Sequence, residues 1–392
     1  MLVKKKLILL TTAVTILCSS AVFAALPYST PTSAYQIWQD TLQAKSGDVI
    51  SIQPKAYTFT ERLFVKPGVT LNGISSKTGK EQTQPIFYFK LDSKDFNNYS
   101  AIHICTGGTV DNLNITLMSK DASRDHSYRV IYNKGTIENC LIAGGNLNSA
   151  NFSIGAGILN YGIVKPGTSK LIGGIVDNCV VANCVATLGG GIYNSSGSVE
   201  DCTVLLCGAP GADEYDPGCG GGIYNSNGAV DNCTVQYCFA GNDGGGIESY
   251  GGTITYNDDS FHSINSCKAQ YGGGIELSHG ATLNIKSCAS NKISNDVIIS
   301  RNIATHSGGG ILNRGTITVS QNYRGTFYIA YNIALSNGGG IYNAGTFLNN
   351  SSNKVIVQKN TAGSPSVSDN IPHGGGVYNA VDYTIRDCKI IN

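Results

Sequence analysis

Gly189-Gly190-Gly191-Ile192-Tyr193-Asn194 recurs unchanged at residues 220–225 and 338–343. It returns with variation as GAGILN at 155–160, GGGIES at 244–249, GGGIEL at 272–277, GGGILN at 308–313 and GGGVYN at 374–379. Successive blocks start 34, 31, 24, 28, 36, 30 and 36 residues apart. An unequal period around a constant block describes stacked coils with loops of varying length inserted between them. A second element accompanies the blocks. Cys179-Val-Val-Ala-Asn-Cys184, Cys202-Thr-Val-Leu-Leu-Cys207 and Cys233-Thr-Val-Gln-Tyr-Cys238 share one spacing. Leu283 to Cys288, Phe327 to Asn332 and Val355 to Asn360 fit the same template. Apolar residues at alternate positions give the period of a strand with one buried face.

These repeats predict columns. In a parallel β-helix each coil lies about 4.8 Å above the last, so equivalent residues stack. One column reads Cys184, Cys207, Cys238, Cys267 and Cys288, then Asn302, Asn332 and Asn360. Another reads Asn194, Asn225, Asn313, Asn343 and Asn379. Stacked Asn side chains can hydrogen-bond along the column, and Asn tolerates a left-handed corner. The predicted fold is all-β: a single-stranded right-handed parallel β-helix of about ten coils, closed at its start by a short helix. Ser33-Ala34-Tyr35-Gln36 matches a capping box. Ala34, Ile37, Trp38, Thr41 and Leu42 follow on one face, as a cap over the first coil requires.

Composition agrees. The 392 residues include 49 Gly and 36 Asn, and charged residues make up only 14%. That excludes a disordered polyelectrolyte and disfavours a helical bundle. Residues 1–24 read as a signal peptide, with Lys4, Lys5 and Lys6 before an apolar run and Val22-Phe23-Ala24 at the cleavage site. Residues 25–100 then carry the cap and first coils, and residues 101–392 the repeats. Loss of the three leader lysines leaves 24 basic against 26 acidic side chains. There is no basic field for nucleic acid and no polybasic stretch for anionic lipid. The expected setting is secreted: extracellular, periplasmic or at the cell surface.

Two resemblances rest on these residues. Gly47-Asp48-Val49-Ile50 through Ala56-Tyr57, followed by Lys66-Pro67-Gly68-Val69-Thr70-Leu71-Asn72-Gly73, resembles the N-terminal coil of pectin-lyase-like right-handed β-helix proteins. The Gly-Gly-Gly-Ile blocks, with Asn-x-Ala at Asn302, Asn332 and Asn360, are similar to repeats of chlamydial polymorphic outer-membrane proteins. The first resemblance implies a fold shared by lyases, hydrolases, epimerases and non-catalytic surface proteins. The second implies adhesin-like exposure at a cell surface.

Candidate chemistry lies where the repeats depart from their own pattern. Four of the eight blocks place a tyrosine, Tyr193, Tyr224, Tyr342 or Tyr378, after Gly-Gly-Gly-Ile or Gly-Gly-Gly-Val, whereas two neighbouring coils place Glu248 and Glu276. Stacking would bring those carboxylates within roughly 5 Å, close enough to raise one pKa and to serve a glycosidase. Asp243 and His279 lie near them in sequence. The plainer reading is that both Glu face solvent or pair with Lys268. A lyase would need a base, for which Arg301 or Arg314 could serve. Asp213, Glu214 and Asp216 could hold calcium, whereas zinc is not expected, because no paired C-x-x-C occurs and the cysteine columns are too regular. The four tyrosines form a candidate ligand face, able to stack on sugar rings or on protein.

Twelve cysteines remain after the leader. Most read as reduced core thiols, because parallel Cβ vectors within a column hold sulfurs apart. Cys219 lies outside the predicted columns, so a Cys207–Cys219 disulfide could staple the insertion Gly208 to Gly218. The leading functional expectation is non-catalytic binding of an extracellular glycan or surface protein. The alternative is a polysaccharide lyase or glycoside hydrolase. End-to-end self-association is a third class, because no polar cap is evident near Ile390. Association with an outer surface would then need no membrane span.

Overall fold

The computed structural model describes residues 29–78, 81–91, 100–118, 129–147, 153–211, 217–287, 295–350, 355–363, 374–380 and 389–391. The leader, Asp213, Glu214, Asp216 and the segment from Ser364 to His373 lie outside them. Three long parallel sheets run the length of the molecule. The first has 11 strands, from Val49–Ile52 to Thr346–Asn349. The second has 12, from Ala56–Phe59 to Lys389–Ile391, and the third 11, from Leu63–Val65 to Val377–Asn379. The chain visits them in turn, so each strand pairs with its equivalents in the coils before and after. A fourth sheet of six two-residue strands, Gly208–Ala209 to Thr361–Ala362, widens the corner after the second sheet. The molecule is a right-handed parallel β-helix. Among the described residues no helix is long and apolar enough to cross a membrane.

Corners follow from local chemistry. Asn139, Asn178 and Asn232 adopt φ of 48–55° at the turn from the first to the second sheet, a left-handed conformation that Asn accepts readily; Leu206, Tyr237, Arg301 and Tyr331 take φ of 56–59° at the corner after the second sheet, where residue type does not explain it. The triple glycine has two distinct causes, seen at 244–246. Gly244 has φ of +59°, where a side chain is strained. Gly245 and Gly246 instead lie against the next coil: a Cβ would meet Lys268 O at 2.4 Å and Gly274 O at 2.6 Å.

Inside, Ile223, Ile247, Ile275, Ile311 and Ile341 stack from the third sheet and are fully buried. The asparagine ladder beside them is continuous from Asn133 to Asn225, with Nδ2–H donating to Oδ1 at 2.8, 2.8 and 2.9 Å. It breaks where Ser249 and Leu277 replace Asn, and resumes from Asn313 to Asn379 at 2.7 Å per step. The corner column runs from Cys267 to Asn302, Asn332 and Asn360 through backbone N–H bonds to Oδ1. Cys267 meets Asn302 directly, without the Cys288 expected between them, and Cys288 itself lies outside the described residues. Leu283 lies in Thr282–Lys286, a strand of the first sheet rather than the second.

The cap helix α1 (Ala34–Gln43) starts as expected, with Gln36 N–H donating to Ser33 Oγ at 3.1 Å. Gln36 Oε1 accepts from Thr32 N–H, one residue upstream of the reciprocal partner in a full capping box. Ile37 and Thr41 are fully buried, while Leu42 is 42% exposed. The helix packs chiefly on the first strand of each sheet, and its buried stripe is narrower than the sequence pattern.

The cysteines correct a second expectation. Cys207 and Cys219 are both free thiols, as are the eight other described cysteines. Cys207 points into the main core, where its thiol lies 3.4 Å from Leu205 O. Cys219 belongs to a column after all: isolated parallel bridges link Leu188, Cys219, Asp243 and Tyr271 in successive coils. The two side chains therefore serve different faces of the third-sheet wall.

Candidate functional site

The outward file of the third sheet runs Phe64, His103, Tyr132, Leu159, Tyr193, Tyr224, Glu248, Glu276, Leu312, Tyr342, Tyr378, each in register with the next. The two glutamates occupy one continuous step of this file, and nine of the eleven positions are aromatic, imidazole or leucine. Glu248 and Glu276 are not solvated. They are 5% and 1% exposed, because Tyr224 and Leu312 flank them and the Cys219–Asp243 column runs alongside. The expected solvent-facing pair, and the expected pairing with Lys268, are corrected. The cationic partner is Arg314, whose guanidinium binds Glu276 Oε1.

Burial shapes the electrostatics. Desolvation, then the nearby Asp243 charge, pushes the Glu248 carboxyl up to about 8, against smaller opposing effects of the Cys219 hydrogen bond and Arg314. Desolvation, Asp243 and Glu248 push Glu276 up to about 9. Asp243 rises mainly through burial, while Arg314 and a hydrogen bond with Glu276 hold it back. Burial and the neighbouring carboxylates drive the Cys219 thiol far upward. Burial and crowding thus favour the protonated form of both glutamates more than that of Asp243, the kind of separation that distinguishes acid from base in an acid–base site. One oxygen on each glutamate, Oε2, is buried without a hydrogen-bond partner.

Of the sequence candidates, the fold therefore assembles Glu248, Glu276 and Asp243, and adds Arg314 and Cys219 to them. His279 stands on an exposed turn and makes no hydrogen bond to the cluster. Arg301 sits exposed at a left-handed corner, remote in register from the third sheet. Tyr193 and Tyr224 stack with centroids 5.2 Å apart and planes 8° from parallel, and Tyr342 and Tyr378 at 5.0 Å and 25°. Their facing surfaces cover one another. Ring edges and hydroxyls are what the pairs offer outward.

A second feature went unread in the sequence. Asp111, Glu138, Asp177, Glu200 and Asp231 stand in successive register on the outer face of the first sheet. Its signature is an acidic residue two positions before each cysteine at 140, 179, 202 and 233. The cysteines turn inward and donate back to the carbonyls of those residues at 3.0–3.3 Å.

No family model and no curated protein matches the chain. Among solved structures it is similar to a 1,3-α-1,4-β-D-galactose-4-sulfate-3,6-anhydro-D-galactose-2-sulfate 4 galactohydrolase, at 10% identity and a TM-score of 0.30, over 91% of this chain and 84% of that one.

Proposed function

We propose that the protein is a secreted or cell-surface β-helix that binds an extended polysaccharide along the outer face of its third sheet. One observation carries this reading. The file from Phe64 to Tyr378 is a straight row of eleven positions, roughly 50 Å long at about 4.8 Å per coil, with its charged cluster in the middle. A regular polymer of hydroxyl groups matches the ring edges and hydroxyls along that row, within which Leu159, Glu248, Glu276 and Leu312 are buried. The near-neutral chain adds no field that would favour nucleic acid.

The test is retention on a panel of neutral and acidic polysaccharides, with and without calcium. The variant Tyr193→Phe/Tyr224→Phe keeps the stack and removes the hydroxyls. Loss of hydrogen bonds worth about 1.4 kcal/mol would weaken binding about tenfold. Retention of none of the panel by the intact chain would refute the reading.

A second reading is favoured by the carboxyl cluster. A glycoside hydrolase on the same face would use Glu248 or Glu276 as general acid and Asp243 as base. New reducing ends from the wild type, absent in Glu248→Gln/Glu276→Gln, would establish it. Unsaturated ends would indicate a lyase instead.

A further inference from the structure

Within the third-sheet face lies a donor set whose thiol neither polysaccharide reading uses. Cys219 Sγ, a carboxylate oxygen of Asp243 and one of Glu248 lie within 4.8 Å of one another. Zinc binds thiolate at about 2.3 Å and carboxylate at about 2.0–2.2 Å, so donors this close need only small side-chain rotations to share an ion. All three stand on hydrogen-bonded positions rather than loop tips. Cys219 and Asp243 are consecutive members of one bridge column, and Glu248 sits in the strand Ile247–Tyr250.

An independent observation points to a missing partner. Glu248 is 95% buried, since only 5% of its surface is exposed, yet its Oε2 has no hydrogen-bond donor. Glu276, next in register, repeats the pattern with its own Oε2. Buried polar oxygens are normally satisfied, because leaving one bare costs about 1–3 kcal/mol. Arg314 reaches Glu276 Oε1 only.

We propose that Cys219, Asp243 and Glu248 form a site for a divalent transition-metal ion of the zinc class, with Glu276 as the fourth donor or the acceptor for a metal-bound water. The thiolate sets the class. Calcium and magnesium take oxygen ligands, whereas sulfur with carboxylate suits zinc. Asp243 is only half-buried and marks the side from which an ion enters. Binding displaces the protons of the Cys219 thiol and the Glu248 carboxyl, so affinity rises with pH. The ion would also neutralise a cluster that otherwise gathers three acids beside a single arginine.

The test uses the full mature chain, stripped with a chelator and titrated with Zn²⁺, Cd²⁺ or Ca²⁺ alone, with no polysaccharide present. One equivalent of Zn²⁺ is expected to bind and to raise the thermal midpoint, while Ca²⁺ leaves it unchanged. Cd²⁺ is expected to give a thiolate charge-transfer absorption. Cys219→Ser and Asp243→Asn should each weaken Zn²⁺ at least tenfold. Cys105→Ser, at the most exposed other described thiol, should not. Asp243→Asn alters a half-exposed side chain and keeps the test usable if Cys219→Ser fails to fold. Absence of stoichiometric Zn²⁺ binding, or binding unchanged in both variants, would overturn the site. Polysaccharide retention measured in chelator is a separate readout, so either proposal can fail alone.

Discussion

Replacing Asp177 by Asn should stabilise the protein at neutral pH and do nothing at acid pH. Asp177 is the middle of five carboxylates in register, with Glu138 on one side and Glu200 on the other. Among the described residues none of the five has an ion-pair partner. Like charges about 4.8 Å apart repel by roughly 1 kcal/mol even in a water-like dielectric. Partial burial first, then the surrounding acidic groups, raises the Asp177 carboxyl from 3.8 to about 6. Because the folded pKa is raised, the unfolded chain ionises first as pH climbs. Stability is therefore lost between about pH 4 and pH 6, and the full penalty stands above that window. The shift corresponds to about 3 kcal/mol unscreened, and exposure to solvent at this face reduces it to about 1 kcal/mol. Asp177→Asn should raise the urea midpoint by a few tenths molar at pH 7 and leave it unchanged at pH 3.5. A gain of equal size at the two pH values, or none at pH 7, would refute the claim that stacked charge is what this column costs.

Three further outcomes follow from the packing. Asn194 donates to Gly197 O, Asn225 Oδ1 and Ala229 O at 3.1, 2.9 and 3.1 Å and accepts from Asn160 at 2.8 Å. Asn194→Ala should cost about 3 kcal/mol by denaturant titration, and a loss under about 1 kcal/mol would mean the ladder is dispensable. Ile37→Ala empties a fully buried site in α1, at about 2–4 kcal/mol. Hydrogen exchange should quicken in Val49–Ile52 and Ala56–Phe59 but not in distant coils, because solenoid coils feel mainly their neighbours. Thiol titration should find Cys105 the first of the ten described cysteines to react in the native state, with the others released by denaturant; a change in electrophoretic mobility on reduction would contradict free thiols.

How much of this was legible in the chain depends on how local the cause is. The glycine blocks, the strands with alternating burial and the asparagine and cysteine columns were legible because β-helix stacking converts sequence repetition directly into contact between neighbouring coils. The start of α1 was legible for a similar reason: Ser33 and Gln36 are three residues apart, and Ser33 Oγ caps the Gln36 N–H locally. Leu283 was assigned to the wrong sheet because loop insertions alter coil length, and its strand pattern is the same in either sheet.

The sequence by itself determined the coil, its corners and the anomaly of Glu248 and Glu276 in a tyrosine position. Only the tertiary structure decided that these glutamates are buried. Their burial depends on Tyr224 and Leu312, which the repeat places on either side, and on Arg314 and the Cys219–Asp243 bridge column, which the repeat does not mark. The same holds for Cys219, whose neighbours in sequence suggest a loop staple and whose neighbours in space are carboxylates. Alternation states which way a side chain points from its strand. Whether water reaches it is set by what the other coils place around it.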